Sequence, residues 1–356
     1  MNKKGKVLVG MSGGIDSSMT VSLLQKQGYE VIGVTLKLVE GSRCCDLESQ
    51  HHAKAVCKKY GVEHYVFDVS KNFEKKVIGY YLDELRSART PNPCVFCNRF
   101  LKFDELFKIA KKLKCDYIAT GHYARIKENS NGKHSLLKGL DKTKDQTYYL
   151  SFLKQEWLSK ILFPLGGMKK EKVYELAKKE GLDFLVQKKE SQDLCFVEDK
   201  LRKSFLAKKI GEKPGDIVDE NGKVLGKHEG IHFYTIGQRK GILLSGGPYF
   251  VVEFNVRKNQ VIVSNKPKIE SLYANIVRLK NLNLVSGVLS GDLRLPCNVK
   301  AKVRYQQELS PAILDHDKNG YFLQFKKLQR AVTNGQIAVF YSGQICLGGG
   351  TIKASK

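Results

Sequence analysis

The sequence predicts an α/β protein with β-rich additions: a doubly wound parallel-sheet domain over residues 1–210, a small central mostly-β domain over 211–270 and a C-terminal β-barrel over 271–356. Three observations predict this. An apolar run broken by two glycines opens the chain, apolar strand patterns then alternate with helical ones, and beyond about residue 210 short strands and turn signals take over.

The opening run is KVLVGMSGGIDSS, Lys6 to Ser18. Val7, Leu8 and Val9 read as a buried parallel strand, and Ser17 to Gln27, closed by Gly28, reads as the helix that follows. Gly13 and Gly14 let the backbone approach a ligand, and free N–H groups at the helix N-terminus point at an anion there, with Ser12 and Ser17 adding hydroxyls. Asp16 repels a bare phosphate, so it is expected to ligate, directly or through water, a magnesium ion that bridges phosphates. The stretch resembles the pyrophosphate-binding loop, SGGxDS, of the ATP pyrophosphatase (PP-loop) superfamily, whose members cleave ATP between the α and β phosphates and adenylate a substrate oxygen. It lacks the GK[ST] ending of kinase-type loops, which makes transfer of the γ phosphate the weaker reading.

Further strands are expected at Val31–Leu36, Tyr65–Asp68 and Tyr117–Ala119, in a sheet whose ligands bind at the carboxyl ends of the strands. TGHYAR, Thr120 to Arg125, lies at such an end. Gly121 brings backbone close to a nucleotide there, and His122 is either a substrate contact or a capping or core histidine. Arg89 to Phe103, RTPNPCVFCNRFLKF, carries Cys94 and Cys97 in C-x-x-C spacing, after two prolines that stop the preceding helix. A tetrahedral zinc site needs a second such pair, and the chain has none. Cys44, Cys45, Cys57 and Cys115 read as ordinary thiols, whereas Cys195 lies in a polar stretch, KKESQDLCFVED, after a helix over Lys169 to Glu180. Lys138 to Phe152 mixes charge with aromatics, which suits phosphates and stacked bases; taken alone, a plain amphipathic helix start explains it as well.

Past residue 210, hairpins are expected at Asn221-Gly222 and Lys258-Asn259, followed by the strands VKAKVRY, GYFLQF, QIAVFY and ICLGGG. The chain of 356 residues carries 61 Lys and Arg against 36 acids, a net charge of +25 that favours a polyanionic partner over a small neutral substrate. With no apolar run of about 18 residues and no signal-peptide core at the N-terminus, a soluble, cytoplasmic protein without membrane contact is expected. In that compartment nine cysteines read as thiols, metal ligands or catalytic groups rather than a disulfide framework.

Ten stretches in order, GMSGGIDSS, RTPNPCVFCNRFLKF, TGHYAR, GLDKTKDQTYYLSF, LFPLG, ESQDLCF, PGDI, TIGQRKG, VRYQQ and GQIAVFYSGQICLGGG, make the chain similar nearly end to end to the tRNA-specific 2-thiouridylase (MnmA/TrmU) family. The resemblance implies a tRNA-uridine 2-sulfurtransferase that adenylates the wobble uridine and replaces its C2 oxygen with sulfur. It places ATP on Gly10, Met11, Ser12, Gly13, Gly14, Ile15, Asp16 and Ser17, with Gly121 and Leu36 also at the nucleotide. Cys97 matches the family's nucleophile and Cys195 its persulfide-bearing cysteine. Asn92, Pro93 and Cys94 fall where members touch the target base, and Lys144, Asp145, Gln146, Arg304, Tyr305, His122 and Gln336 fall at tRNA contacts. Implied partners are tRNA, a cysteine desulfurase or sulfur-relay protein that loads Cys195, and a reductant for a Cys97–Cys195 disulfide.

The chain departs from the family at Cys94, where many members carry aspartate, and at Leu36, often methionine. The first departure creates a three-thiol set of Cys94, Cys97 and Cys195, which opens a second route in which these cysteines hold a [4Fe–4S] cluster. Two other functions compete: a small-acid synthetase of the same superfamily, which leaves the cysteines and the charge unexplained, and a non-catalytic RNA-binding protein with a metal-holding cysteine knot.

Overall fold

A computed structural model describes residues 4–39, 47–186, 194–266, 270–286 and 294–353. Cys44 and Cys45 lie outside these residues, as does the KKESQD part of the stretch before Leu194. In chain order the first strands are β1 (Lys6–Gly10), β2 (Glu30–Lys37), β3 (Glu63–Asp68), β4 (Tyr117–Ala119), β5 (Ala124–Glu128), β6 (His134–Lys138) and β7 (Ile161–Leu162). β3-β2-β1-β4-β7 form one sheet in which every pairing is parallel. The central β1 has Val7, Leu8 and Val9 fully buried, as a strand covered on both faces requires. Helix α1 (Ile15–Lys26) leaves β1 across the Met11–Gly14 loop, so the loop opens at the carboxyl edge where strand order diverges.

From Pro93 the chain is helical without a break to Lys112, as Pro93–Cys97, Asn98–Lys102 and Phe103–Lys112, with the middle piece wound as a π-helix. Cys97 packs into the same buried core as Phe103, Leu106 and Ile109, while Cys94 stays partly exposed. Pro93 sits at the first helical position, where its missing N–H costs nothing, and Asn92 Oδ1 accepts from Val95 N at 3.4 Å as the cap.

The remaining strands are β8 (Gly215–Val218), β9 (Val224–His228), β10 (Phe250–Asn255), β11 (Gln260–Ser264), β12 (Tyr273–Leu284), β13 (Cys297–Lys302), β14 (Ser310–Asp317), β15 (Gly320–Arg330), β16 (Ile337–Ser342) and β17 (Ile345–Lys353). β10-β11-β8-β9 make a small sheet around Ile217, Val251, Val261 and Val263. β12-β15-β14-β13-β16-β17 close into a barrel through the β12–β17 pairing, which removes the open edges a flat sheet would leave.

One feature differs from the sequence reading. Ala124 and Arg125 do not end a loop but begin the β5–β6 hairpin, and β6 pairs with β17 of the barrel at Leu136↔Cys346 and Leu137↔Ile345. Leu136 N also donates to Ser286 Oγ at 2.8 Å. The N-terminal α/β segment therefore extends the barrel sheet with a hairpin of its own. On its other flank Thr90 N donates to Asn334 O at 2.8 Å and the buried Tyr148 hydroxyl to Ile337 O at 2.8 Å, so the cysteine-bearing helix is docked against the barrel.

Candidate active site

Strand β1, the helix at Pro93–Cys97 and the barrel all end on one cavity of about 1150 Å³. At its floor lies the Met11–Gly14 loop. Gly13 has φ +69°, and a Cβ there would sit 2.1 Å from Ser49 O, so both the conformation and the space demand glycine. Gly121 approaches so closely that a Cβ would lie 2.8 Å from the backbone carbon of Asp16 and 2.9 Å from Ser17 N. α1 starts at Gly14 with no side-chain cap, leaving its first N–H groups for a ligand, and Ser17 Oγ accepts from Ser12 N at 3.2 Å to hold the loop's shape. This cradle fits the phosphates of a nucleotide, and Leu36, Val34 and Leu38 supply an apolar wall beside it.

Asp16 is more occupied than its sequence suggests. Lys170 Nζ lies 2.8 Å from both of its carboxylate oxygens, and the Tyr123 hydroxyl donates to Oδ1 at 2.8 Å. The Lys170 side chain is only 6% exposed, on the first turn of helix α2 (Lys170–Lys179). The expected magnesium ligand thus starts as half of an ion pair. Oδ1 accepts from both partners, whereas Oδ2 accepts only from Lys170 among the described residues and keeps a second lone-pair direction, where a water of hydrated magnesium fits. Lys170 lies outside the residues singled out from the sequence, because a lysine in a lysine-rich helix start carries no signal of its own.

The cysteines form the middle of the cavity. Cys94, Cys97 and Cys195 all line it; Cys97 is buried, while Cys94 and Cys195 are partly exposed. Cys195 is fixed through its neighbour Phe196, whose ring packs 5.5 Å from Tyr81, 5.8 Å from Phe73 and 6.0 Å from Phe205. Among the described residues no group of three or more His, Cys, Asp or Glu side chains is gathered closely enough to hold a metal ion. The three thiols share a cavity without forming the tight set a [4Fe–4S] cluster needs.

Of the other residues expected at the site, Asn92, His122, Lys144, Asp145, Gln146, Arg304, Tyr305 and Gln336 line the same cavity, as do Gly10 to Ser12, Gly14 to Ser17, Leu36 and Gly121, while Gly13 and Pro93 do not line it. Their side chains are not equally available. His122 Nδ1 pairs with Thr120 Oγ1 at 2.8 Å, and burial, helped by the Lys102 charge, pushes its pKa down to about 3, so it meets a substrate as a neutral ring. Asp145 accepts from Gly139 N and from Thr147, and Gln146 Oε1 accepts from Tyr123 N at 2.9 Å, so these two chiefly shape the loop that presents Lys144. Arg304 Nη2 donates to Ile236 O at 3.3 Å and Ala331 O at 2.9 Å. The expected phosphate contact is therefore also a strut between the small sheet and the barrel.

Residues the sequence reading missed complete the wall. The Tyr149 ring lies 4.5 Å from that of Tyr305, a tilted aromatic pair at the cavity surface. Lys302 donates to Tyr305 O at 2.8 Å, and desolvation lowers its pKa. Both stand in stretches quoted above, and only the fold shows that Tyr149, 156 positions before Tyr305, meets it.

Residues 5–199 match the tRNA methyl transferase HUP domain, 203–265 the tRNA methyl transferase PRC-barrel domain and 274–352 the aminomethyltransferase beta-barrel domain. The chain is 43% identical to the tRNA-specific 2-thiouridylase MnmA of Carboxydothermus hydrogenoformans, over 98% of this chain and 97% of that protein. It is 44% identical to the protein of the same name from Halothermothrix orenii, over 98% and 99%. The chain belongs to the tRNA-specific 2-thiouridylase family. Among solved structures, the U34-tRNA thiolase NcsA from Methanococcus maripaludis with its [4Fe–4S] cluster is 22% identical over 58% of this chain and 64% of that one, with a TM-score of 0.35. A likeness that faint says nothing about the cysteines of this 2-thiouridylase family member.

Proposed function

We infer that this protein is an ATP-dependent tRNA-uridine 2-sulfurtransferase, making 2-thiouridine in tRNA. The observation that carries the reading is that one cavity joins the helix N-terminus of the glycine loop to Cys97 and Cys195 and to the barrel residues Lys302, Arg304 and Tyr305. Methyl transfer, the word in two of the matched domain descriptions, gives no role to a triphosphate cradle facing two thiols.

The chemistry follows from the substrate. The C2 oxygen of uracil is a poor leaving group, and adenylation by ATP turns it into departing AMP, with pyrophosphate released at the loop. The α1 N–H groups and Lys170 face the phosphates while that charge separates, and Asp16 would hold a magnesium ion, which would offset the negative charge of the departing pyrophosphate. A persulfide on Cys195 is a softer and more acidic nucleophile than a thiol. Its terminal sulfur attacks C2 and AMP leaves with the former C2 oxygen. The Cys97 thiolate then attacks the Cys195 sulfur, the S–S bond to the transferred sulfur breaks, and its electron pair becomes the thiocarbonyl. What remains is a Cys97–Cys195 disulfide, which a two-electron thiol reductant returns to two thiols. A cysteine desulfurase or sulfur-relay protein reloads Cys195. Lys144 faces phosphates, while the Tyr149–Tyr305 pair offers a stacking surface to the everted base.

The test is a reconstitution. Purified protein with tRNA, ATP and a persulfide source should yield 2-thiouridine and AMP in equal amounts, with pyrophosphate release dependent on tRNA. Pyrophosphate release driven by a small acid with ammonia, and no thionucleoside, would overturn it in favour of a synthetase.

A further inference from the structure

We propose that a second, smaller pocket on the far side of Arg304 seats one phosphodiester of the RNA backbone, with Arg330 as its principal cation. This rests on the reading of tRNA as substrate and extends it to a site outside the reaction cavity. The pocket, about 250 Å³, is lined by Gly237, Arg304, Gln306, Gln307, Arg330 and Ala331. That volume suits a phosphate group with a few waters and is small for a nucleoside.

Two guanidinium groups and no carboxylate line this space. Arg304 is held by its two carbonyl partners, and its Nε is buried with no hydrogen-bond partner among the described residues. A buried guanidinium nitrogen without an acceptor is costly, and an anion supplies the acceptor. Arg330 ends β15 with its Cζ 5.3 Å from the Phe250 ring, a contact that braces the guanidinium without neutralising it. Burial is the main reason the pKa of Arg304 is lowered; Tyr148 opposes the shift and the nearby Arg330 charge adds to it. Gln307 is fixed by Val303 N at 3.1 Å and by Gln329 at 2.6 Å, so the wall is built before any ligand arrives. Arg239 and Lys240, exposed on the loop that carries Gly237, add positive field on the approach. Because Arg304 borders both spaces, a strand whose base enters the cavity has backbone within reach of this pocket. The exposed Arg330 and Gln306 at the rim let such a strand pass through, which a closed pocket for free phosphate would not.

Arg330 is the residue to test, since removing Arg304 also cuts the strut between the small sheet and the barrel. Affinity for unmodified tRNA is measured between 50 and 200 mM salt for the wild-type protein, Arg330→Gln and Arg330→Lys, alongside ATP affinity. Arg330→Gln should weaken tRNA binding about five- to tenfold at the low-salt end and reduce the log–log salt slope by about one; Arg330→Lys should keep the slope, and ATP affinity should not move. An unchanged slope in Arg330→Gln overturns the proposal while leaving the proposed function intact. So does weaker binding that Arg330→Lys shares, since that marks a packing role. Inorganic phosphate that binds the protein, as read by line broadening in phosphorus NMR, without competing with tRNA would make this a free-anion site and also overturn it. Absence of any tRNA binding by the wild-type protein would overturn both readings.

Discussion

The two ends of the reaction cavity are built in different ways. The phosphate end is local: Gly10 to Ser17 form one strand–loop–helix unit, whose shape follows from three glycines and two serines within eight residues. The sulfur and base end is assembled from distant pieces, with Asn92 to Cys97, Cys195, Lys302 to Tyr305 and Gln336 meeting only because the β5–β6 hairpin and the Thr90–Asn334 contact lock the α/β segment to the barrel. A local site tolerates change elsewhere in the molecule, whereas an assembled one inherits every weakness of the docking that makes it. Damage to the barrel junction should thus disable sulfur transfer before it disables nucleotide binding.

The largest effects fall on the sulfur end. Cys195→Ser and Cys97→Ser should each lower 2-thiouridine formation by about three orders of magnitude or more while ATP affinity stays near the wild-type value. Nucleoside mass spectrometry beside a nucleotide-binding titration checks this, and a parallel loss of ATP binding would collapse the distinction between the two ends.

At the phosphate end, Lys170→Met leaves Asp16 with a half-buried charge that keeps the Tyr123 hydroxyl as a partner but loses its counter-ion. Pyrophosphate release should fall roughly 100-fold, and stability by about 1–3 kcal/mol after allowing for the partial exposure of Asp16. Adding Asp16→Asn should restore much of the stability and none of the activity. A denaturant series on the single and double variants would show whether the pair is coupled.

Cys94 sharpens the sulfur end. Because no three of its thiols form a tight set, Cys94→Ser should keep activity within about threefold, and protein purified without oxygen should carry no stoichiometric iron. Iron at four per chain together with an inactive Cys94→Ser would reverse the assignment.

At neutral pH the smallest expected effect is that of His122, which lines the same cavity and whose contribution changes only as the pH falls. Its pKa is pushed down to about 3 in the folded protein, below the unfolded value of 6.5, so between those limits the unfolded chain binds the extra proton. Stability contributed by this group is complete above about pH 6.5 and falls as the pH drops, by up to about 1.4 kcal/mol per unit. His122→Gln should flatten the stability profile between pH 6.5 and 4 relative to the wild-type protein; identical slopes in chemical denaturation would contradict the assigned ionisation.

The same contrast explains what the sequence disclosed. The phosphate loop was legible because its chemistry is contiguous, and the parallel strands because Val7 to Val9 and Val31 to Leu36 are apolar throughout. The family likeness singled out Cys97, Cys195 and Tyr305, which line one cavity together. It did not disclose that Arg304 braces two β-structures or that Asp145 is turned inward, since both facts depend on backbone carbonyls and amides brought in from elsewhere. Lys170 and Tyr149 were illegible for the same reason, as each gains its meaning from a partner more than 150 residues away. The β5–β6 hairpin escaped because its alternation is short and its pairing partner, β17, lies some 200 positions later.

The most direct test loads Cys195 with a persulfide whose outer sulfur is isotopically labelled, removes free sulfide, and adds tRNA and ATP for a single turnover. The account predicts one labelled sulfur in 2-thiouridine per loaded site, one AMP, and a Cys97–Cys195 disulfide recovered by peptide mapping. Thiolated tRNA without the label, or labelled product with Cys97 still a free thiol, would contradict it.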